Sequence, residues 1–238
     1  MHVQIAESPP LFRDRREAGV LLARRLLALA DEPDLLVLAL PRGGVPIGYE
    51  VARALHAPLD VLLVRKLGVP GHAELAMGAI AEGGIRVVNH DVVRALGIAS
   101  WTIDRVAAEE KRILEQRERL YRGDRRLPTI AGARIILIDD GLATGMTMQA
   151  AIAAVRTGGP AAIIVAVPVA APESIAELKP LVNDVVALAA PEFLYAIGMW
   201  YSDFTPTSDD EVRALLAESL RGHASDQPHA REAALQQR

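Results

Sequence analysis

The segment that most restricts the fold of this 238-residue chain is ARIILIDDGLATGMT, residues 133–147. Four consecutive apolar residues at 135–138 are typical of a strand that is buried on both faces. The strand ends at two adjacent carboxylates, Asp139 and Asp140, and a glycine-rich turn then leads to the apolar helical pattern TMQAAIAAVRTGG (147–159). A buried strand, a loop and a helix in this order are the repeating unit of a parallel α/β sheet.

The same alternation continues along the chain. Short apolar runs predict strands at 35–40, 60–64, 161–169 and 184–188, and helical periods predict helices over 13–30, 102–122, 173–180 and 209–220. We therefore predict an α/β fold, mainly a parallel sheet with helices on both faces. The charged run on the helix over 102–122 is interpreted as a solvent-exposed face without a site.

Two stretches between these elements carry turn residues. Residues 65–77 contain two glycines, one proline and only weak periodicity, which predicts a loop. GAIAEGGIRVVN (78–89) predicts a short hairpin that turns at Gly83 and Gly84.

Composition limits the class of protein. A hydrophobic fraction of 51% supports a full core, and we predict one domain over 1–221 followed by a disordered polar tail over 222–238. Zero cysteine excludes disulfides and thiolate chemistry, and a net charge of -4 argues against nucleic acid as the partner. The start MHVQIAESPP lacks a leader pattern and no long apolar run follows, so a cytoplasmic protein without a membrane partner is expected.

The loop after the strand at 133–139 has the chemistry of a phosphorylated-sugar site. Backbone N–H groups at the start of the next helix favour an anion, and Thr144 and Thr147 add hydroxyl donors. Asp139 and Asp140 fit beside a phosphate only if they hold something else, such as sugar hydroxyls or a metal. The alternative is a purely structural turn, but two charges at the end of an apolar strand are costly without a ligand or solvent.

This run resembles the phosphoribosyl-pyrophosphate (PRPP) binding signature of the type I phosphoribosyltransferases: four apolar residues, two acids, then Thr-Gly and a further Thr. The resemblance implies that Asp139 and Asp140 contact the ribose 2- and 3-hydroxyls. It implies that the 5-phosphate is bound by the turn, at Ala143, Thr144, Gly145, Met146 and Thr147. A Walker pattern and a dinucleotide fingerprint both fail on spacing.

Two further loops resemble parts of the same family. In LPRGGV (40–45), Arg42, Gly43 and Gly44 correspond to the pyrophosphate-binding loop, where the resemblance implies a non-proline cis peptide near Arg42-Gly43; an isolated tight turn is the alternative. The loop at 65–77 resembles the mobile catalytic lid, and Arg65 and Lys66 at its start would neutralise the leaving diphosphate. The alternative for that pair is a solvated strand end.

Two polar residues of the same segment, His72 and Glu74, are weaker catalytic candidates, because polar residues are common in loops.

Aromatic residues are rare, at 4%, yet five of them lie within 193–204. The resemblance places the acceptor base beside this segment and a small hood, so Phe193 and Trp200 are predicted to form the acceptor wall, with Asp203 as a weaker polar contact. The rings could instead pack the last helix onto the sheet or form a dimer interface.

Together these resemblances imply a transferase that uses PRPP and Mg²⁺ to transfer ribose 5-phosphate to a nitrogenous base or related small-molecule acceptor, releasing pyrophosphate. The resemblance implies Mg²⁺ held mainly by the substrate, with Asp139 or Asp140 direct or through water, and a homodimer. PRGG and the WY-x-DF segment are most similar to bacterial members whose acceptor is unassigned. The alternatives are a non-enzymatic PRPP or nucleotide-binding regulator, and hydrolysis or phosphorolysis of a phosphorylated sugar.

Overall fold

The computed structural model describes residues 11–30 and 32–226, and the backbone only of residues 73, 74 and 224–226. The described helices are α1 Arg15–Leu26, α2 Gly44–Ala54, α3 His90–Ala95, α4 Ser100–Arg122, α5 Met146–Thr157, α6 Pro172–Leu178 and α7 Asp209–Asp226. The described strands are β1 Leu35–Ala39, β2 Leu59–Val61, β3 Val64–Val69, β4 His72–Ala81, β5 Arg86–Val88, β6 Arg134–Ile138, β7 Ala162–Val169 and β8 Asp184–Ala189.

The core is a five-stranded sheet in the order β2-β1-β6-β7-β8, and every neighbouring pair is parallel. The strands predicted at 35–40, 135–138, 161–169 and 184–188 are confirmed, because continuous apolar runs are what a sheet covered on both faces requires. The strand predicted at 60–64 is wrong as a single element, since β2 ends at Val61 and Val64 begins β3 of the other sheet. All carboxyl ends of a parallel sheet lie at one edge. The residues that follow β1 and β6 therefore meet there, since these two strands are neighbours in register from Leu35 with Arg134 to Ala39 with Ile138.

Helices cover both faces of the core sheet, which confirms the predicted fold class. Ile136 and Ile138 of β6 pack in one apolar cluster with residues of α1, α2, α4 and α7. Ile135 and Leu137 of the same strand pack in a second cluster with α5 and α6. The alternation of neighbouring residues between two clusters is the period-2 geometry of a strand buried on both sides.

The prediction of a loop over 65–77 is wrong. Strands β3 and β4 form an antiparallel hairpin there, with Val69 opposite His72, and β5 completes a separate three-stranded sheet. Pro70 and Gly71 make its tight turn, where Gly71 has φ 82, and Gly68 lies at a register irregularity. The turn residues that indicated a loop thus mark one short turn and one bulge. The hairpin predicted over 78–89 is confirmed.

The charged helix α4 is not only a solvated face. The Arg122 side chain has 0% exposure and pairs with Asp60 of β2 at 2.9 Å and with Glu82 in the turn after β4. Burying three charged groups is tolerated because they satisfy one another. This cluster, Arg122 with Asp60 and Glu82, joins α4, the core sheet and the three-stranded sheet.

The last helix is longer than predicted, because α7 continues to Asp226 rather than ending near 220. The remainder of the predicted tail, 227–238, lies outside the described residues. Within 11–30 and 32–226, no helix is both long and apolar enough to span a membrane.

Candidate active site

The two loops that follow β1 and β6 are in contact, as the predicted site requires. A Cβ on Gly43 would lie 2.0 Å from Oδ2 of Asp140, and a Cβ on Gly44 would lie 3.0 Å from Cα of Asp139. Only a residue without a side chain fits at either position. The sheet topology therefore brings the PRGG loop and the acid pair together at the carboxyl edge, where ligands bind in open α/β folds.

The two acids differ in their surroundings. Asp139 accepts the backbone N–H of Asp140 at 2.9 Å, and burial together with the adjacent Asp140 charge raises its pKa well above the usual value. Burial also raises the pKa of Asp140, although Arg15 opposes the shift. Two carboxylates that are this close together and largely buried can accept hydrogen bonds from hydroxyl groups or bind a cation.

Arg15, at the start of α1, binds Asp140. Its Nε and Nη2 lie 3.0 Å and 2.8 Å from Oδ2 of Asp140, and its Nη1 donates to the carbonyl of Thr205 at 2.8 Å. The guanidinium carbon lies 3.9 Å from the ring centroid of Phe204. One face of the Arg15 guanidinium is thus stacked on an aromatic ring while its edge binds a carboxylate.

The turn between β6 and α5 forms an open helix start. Gly145 has the left-handed φ of 66 and precedes α5, whose first turn has no side-chain cap. Ala143 and Thr144 are exposed, while Met146 and Thr147 are half-buried. The Ser174 hydroxyl donates to the carbonyl of Ala143 at 2.9 Å. The backbone N–H groups here remain available to an anion.

The cation of the PRGG loop is Arg42, which is 42% exposed and lies 3.9 Å from Asp209 at the start of α7. Asp209 also accepts a hydrogen bond of 2.5 Å from Tyr121, and burial with this bond raises the pKa of Tyr121 to about 12. A non-proline cis peptide is present at Pro41–Arg42, one bond before the position implied by the resemblance.

Comparison with known proteins decides the family. A profile of the phosphoribosyl transferase domain matches residues 15–189. The chain belongs to the phosphoribosyl transferase family. The Mycobacterium tuberculosis proteins named "Putative phosphoribosyl transferase MT0597" (strain CDC 1551 / Oshkosh) and "Putative phosphoribosyl transferase Rv0571c" (strain H37Rv) are each 46% identical over 217 residues, covering 90% of this chain and 48% of theirs. The chain thus spans about half the length of these relatives.

A solved structure supports the same assignment. The protein TT1426 from Thermus thermophilus is 44% identical, with a TM-score of 0.75, and the alignment covers 87% of this chain and 98% of that chain. The residues that the family profile matches run from the start of α1 to the end of β8, so they contain the acid pair, the PRGG loop and the α5 turn. The resemblance inferred from the signature is confirmed at the level of family and fold.

The predicted catalytic cations of this phosphoribosyl transferase domain lie on β3, not in a loop. Arg65 pairs with Glu110 of α4 at 2.5 Å, whereas Lys66 is exposed. His72 opens β4 and is exposed, and the Glu74 side chain lies outside the described part of the structure. The structure thus engages Arg65 in a contact between β3 and α4 and leaves Lys66 directed to solvent.

The aromatic segment divides into two parts. Tyr201 and Phe204 pack with Phe12, at centroid distances of 5.3 Å for Phe12–Tyr201 and 5.0 Å for Tyr201–Phe204, and Trp200 is half-buried against them. Phe193 is 68% exposed and stacks at 6.4 Å only with Tyr195, the one ring near it among the described residues. Trp200, Tyr201 and Phe204 thus pack against Phe12 and α1, not against the last helix as the packing alternative expected, whereas Phe193 stays exposed.

Sequence reasoning missed Arg15 and Tyr201. The Tyr201 hydroxyl donates to the carbonyl of Asp140 at 2.7 Å, and burial raises its pKa far above the usual value. Arg15 is separated from Asp140 by 125 residues, and its sequence context, RDRRE, resembles an ordinary charged helix start. The one usable signal was the acid pair itself, which needs a nearby cation when buried.

Proposed function

We propose that this protein is a phosphoribosyltransferase that uses PRPP and Mg²⁺ to transfer ribose 5-phosphate to the nitrogen of a base or related acceptor. The bond between ribose C1 and the diphosphate oxygen would break with its electron pair remaining on pyrophosphate. The acceptor nitrogen would form the new bond to C1 and lose its proton to water. The observation that carries the proposal is the contact of the PRGG loop with the acid pair, beside the open start of α5.

The proposed roles follow the positions of the residues. Asp139 and Asp140 would receive the ribose hydroxyls and support a ribosyl centre that gains positive charge. The turn over 143–147 would bind the 5-phosphate, and Arg42 with the backbone of Gly43 and Gly44 would bind the diphosphate. The site needs no covalent nucleophile, because orientation and charge suffice for this displacement.

The peripheral residues have proposed roles of their own. Lys66, with Arg65 once it is released from Glu110, would neutralise the departing diphosphate. Phe193 and Trp200 would flank the acceptor, since a planar base is recognised by stacking on rings. A homodimer and a single domain over 1–221 remain predictions.

Mg²⁺ fits this site only if the protein and the substrate both supply its ligands. Among the described residues no group of three or more His, Cys, Asp or Glu side chains could hold a metal ion. Asp139 and Asp140 supply two carboxylates, and Mg²⁺ in phosphate sites is bound by one or two carboxylates together with substrate oxygens and water. When bound, the ion would neutralise charge on the leaving diphosphate.

The first test is calorimetric. PRPP with Mg²⁺ is titrated into the wild type, into Asp139→Asn/Asp140→Asn, and into Asp124→Asn, which removes an exposed acid elsewhere. We expect saturable binding by the wild type and the control, and a loss of at least about tenfold in the double variant, because one lost charge-assisted hydrogen bond is worth about 1.5–3 kcal/mol. Equal affinity of all three proteins would refute the site.

A second candidate is a PRPP or nucleotide-binding regulator, and one observation favours it. The segment that resembled a closing lid is an ordered hairpin whose Arg65 is already paired with Glu110, and a regulator needs no lid. Pyrophosphate release measured across purine, pyrimidine and pyridine bases separates the two functions. Release with one base class supports the transferase, and binding of PRPP without release on any base supports the regulator.

A further inference from the structure

The contacts around the Arg15 side chain hold it in one orientation. Its side chain is 10% exposed and that of Asp140 is 16% exposed. Phe204 covers its face, the Thr205 carbonyl accepts from Nη1, and Nε and Nη2 both point to one oxygen of Asp140. Each of the three guanidinium nitrogens therefore has a polar contact, as a buried cation requires.

Asp140 is fixed from several directions. Oδ2 accepts a hydrogen bond from Nε of Arg15 and lies 2.8 Å from Nη2, and the backbone of Gly43 lies against the same oxygen. Its carbonyl accepts from Tyr201 at 2.7 Å. In the described part of the structure the contacts of Arg15 are to Oδ2 and no other side chain is seen to bind Oδ1 of Asp140. Oδ1 is therefore the atom left for a ligand, and the two acids of the motif are not equivalent.

Charge supports the same distinction. Two carboxylates next to a site for a phosphate and a diphosphate would repel the ligand, and Arg15 offsets one of these charges at 2.8 Å. Arg15 itself is largely covered, so it acts on the ligand through Asp140 and not by direct contact.

We propose that Arg15 is a positioning residue for the ribose subsite: it holds Oδ2 of Asp140 so that Oδ1 is presented to a ribose hydroxyl. The proposal rests on the proposed function, since it concerns the ribose of PRPP. At metal sites, removing a residue that orients a ligating group typically costs about 10–100-fold in affinity. A loss of this size is expected for the ribose and not for the pyrophosphate, which the PRGG loop binds.

The test compares ribose 5-phosphate with inorganic pyrophosphate, each titrated with Mg²⁺ into four proteins: the wild type, Arg15→Met, Asp140→Asn and the double variant. Methionine keeps an apolar contact with Phe204 but removes the charge. We expect Arg15→Met to weaken ribose 5-phosphate binding about 10–100-fold and pyrophosphate binding less than about threefold. The double variant should bind ribose 5-phosphate no more weakly than the weaker single variant, because both changes remove one interaction.

Arg16→Met is the matched control, since Arg16 is the next residue of α1 and is 54% exposed; it should bind both ligands as the wild type does. Arg15→Lys restores the charge and should recover part of the affinity, and it replaces Arg15→Met in the comparison if the latter does not fold. An equal loss for both ligands, additive effects, or unchanged ribose 5-phosphate binding would overturn the role of Arg15. Wild-type protein that binds neither ligand would instead refute the proposed function, and this inference with it.

Discussion

Replacing Arg122 by methionine is expected to destabilise the protein strongly. The Arg122 side chain has 0% exposure, Asp60 has 2% and Glu82 has 11%, so the change would leave Asp60 as a buried carboxylate without its cation. Removing one partner of a buried pair costs about 3–5 kcal/mol. Glu82 can turn toward water, so Asp60 sets the loss. For a chain of this size each kcal/mol lowers Tm by about 2–4 °C, which gives a decrease of roughly 6–20 °C.

The loss should also depend on pH. Burial already raises the pKa of Asp60, and Arg122 lowers it, so the variant raises that pKa further. A folded-state pKa above the unfolded value means that stability falls as pH rises between the two. The difference between variant and wild type is therefore expected to be larger at pH 8 than at pH 5.

Urea unfolding at both pH values measures these free energies. Arg119→Met is the control, because Arg119 is exposed on the same helix, and a change within about 0.5 kcal/mol is expected for it. A loss below about 1 kcal/mol in Arg122→Met, or a loss that is larger at pH 5 than at pH 8, would show that the buried cluster does not attach the three-stranded sheet as described.

Four other substitutions have defined outcomes. Burial and the neighbouring carboxylate raise the pKa of Asp139, so its charge opposes folding above that pKa. Asp139→Asn should therefore raise the free energy of unfolding by roughly 0.5–2 kcal/mol at pH 8 and by less at pH 4. A lower free energy of unfolding at pH 8 in urea titrations would contradict this. Asp209→Asn should strengthen pyrophosphate binding about 1.4- to 5-fold, since Arg42 is released from an exposed pair worth about 0.2–1 kcal/mol; weaker binding by calorimetry would show that Asp209 orients Arg42. Phe193→Ala should raise the acceptor KM without changing Tm, whereas Trp200→Ala should lower Tm as well; equal Tm losses in thermal scans would place both rings in the core.

The parts of the fold that the sequence predicts are those encoded locally. The run at 135–138 must be a strand buried on both faces, and the acids after it must lie at the carboxyl edge, because both statements depend on adjacent residues. The sequence did not predict the hairpin over 64–81, because glycine and proline are common both in loops and in tight turns with a bulge. Its strands are specified by pairing with each other and by packing on α4 and α5, which no local pattern records.

The charged groups show a second limit. Arg122 and Glu110 lie in a run that looks solvated by period and composition, yet their partners are Asp60 and Arg65, 62 and 45 residues away. A sequence pattern gives the charge but not the partner, and burial of a charge is decided by the partner. The same limit applies to Arg15, because the sequence does not show that its partner is Asp140.

The aromatic segment has a structural role that does not depend on an acceptor. Residues 200–203 run beside 12–13, with the Phe12 N–H bound to the Trp200 carbonyl at 3.0 Å and the Ser202 N–H bound to the Phe12 carbonyl at 2.8 Å. This pairing places the start of α1, and hence Arg15, against Tyr201 and Phe204. The rings that pack there hold Arg15, the cation that binds Asp140. A substitution at Trp200 is therefore expected to affect the acid pair as well as any acceptor. Phe193 lies outside this packing, so a substitution there tests the proposed acceptor contact without disturbing the acid pair.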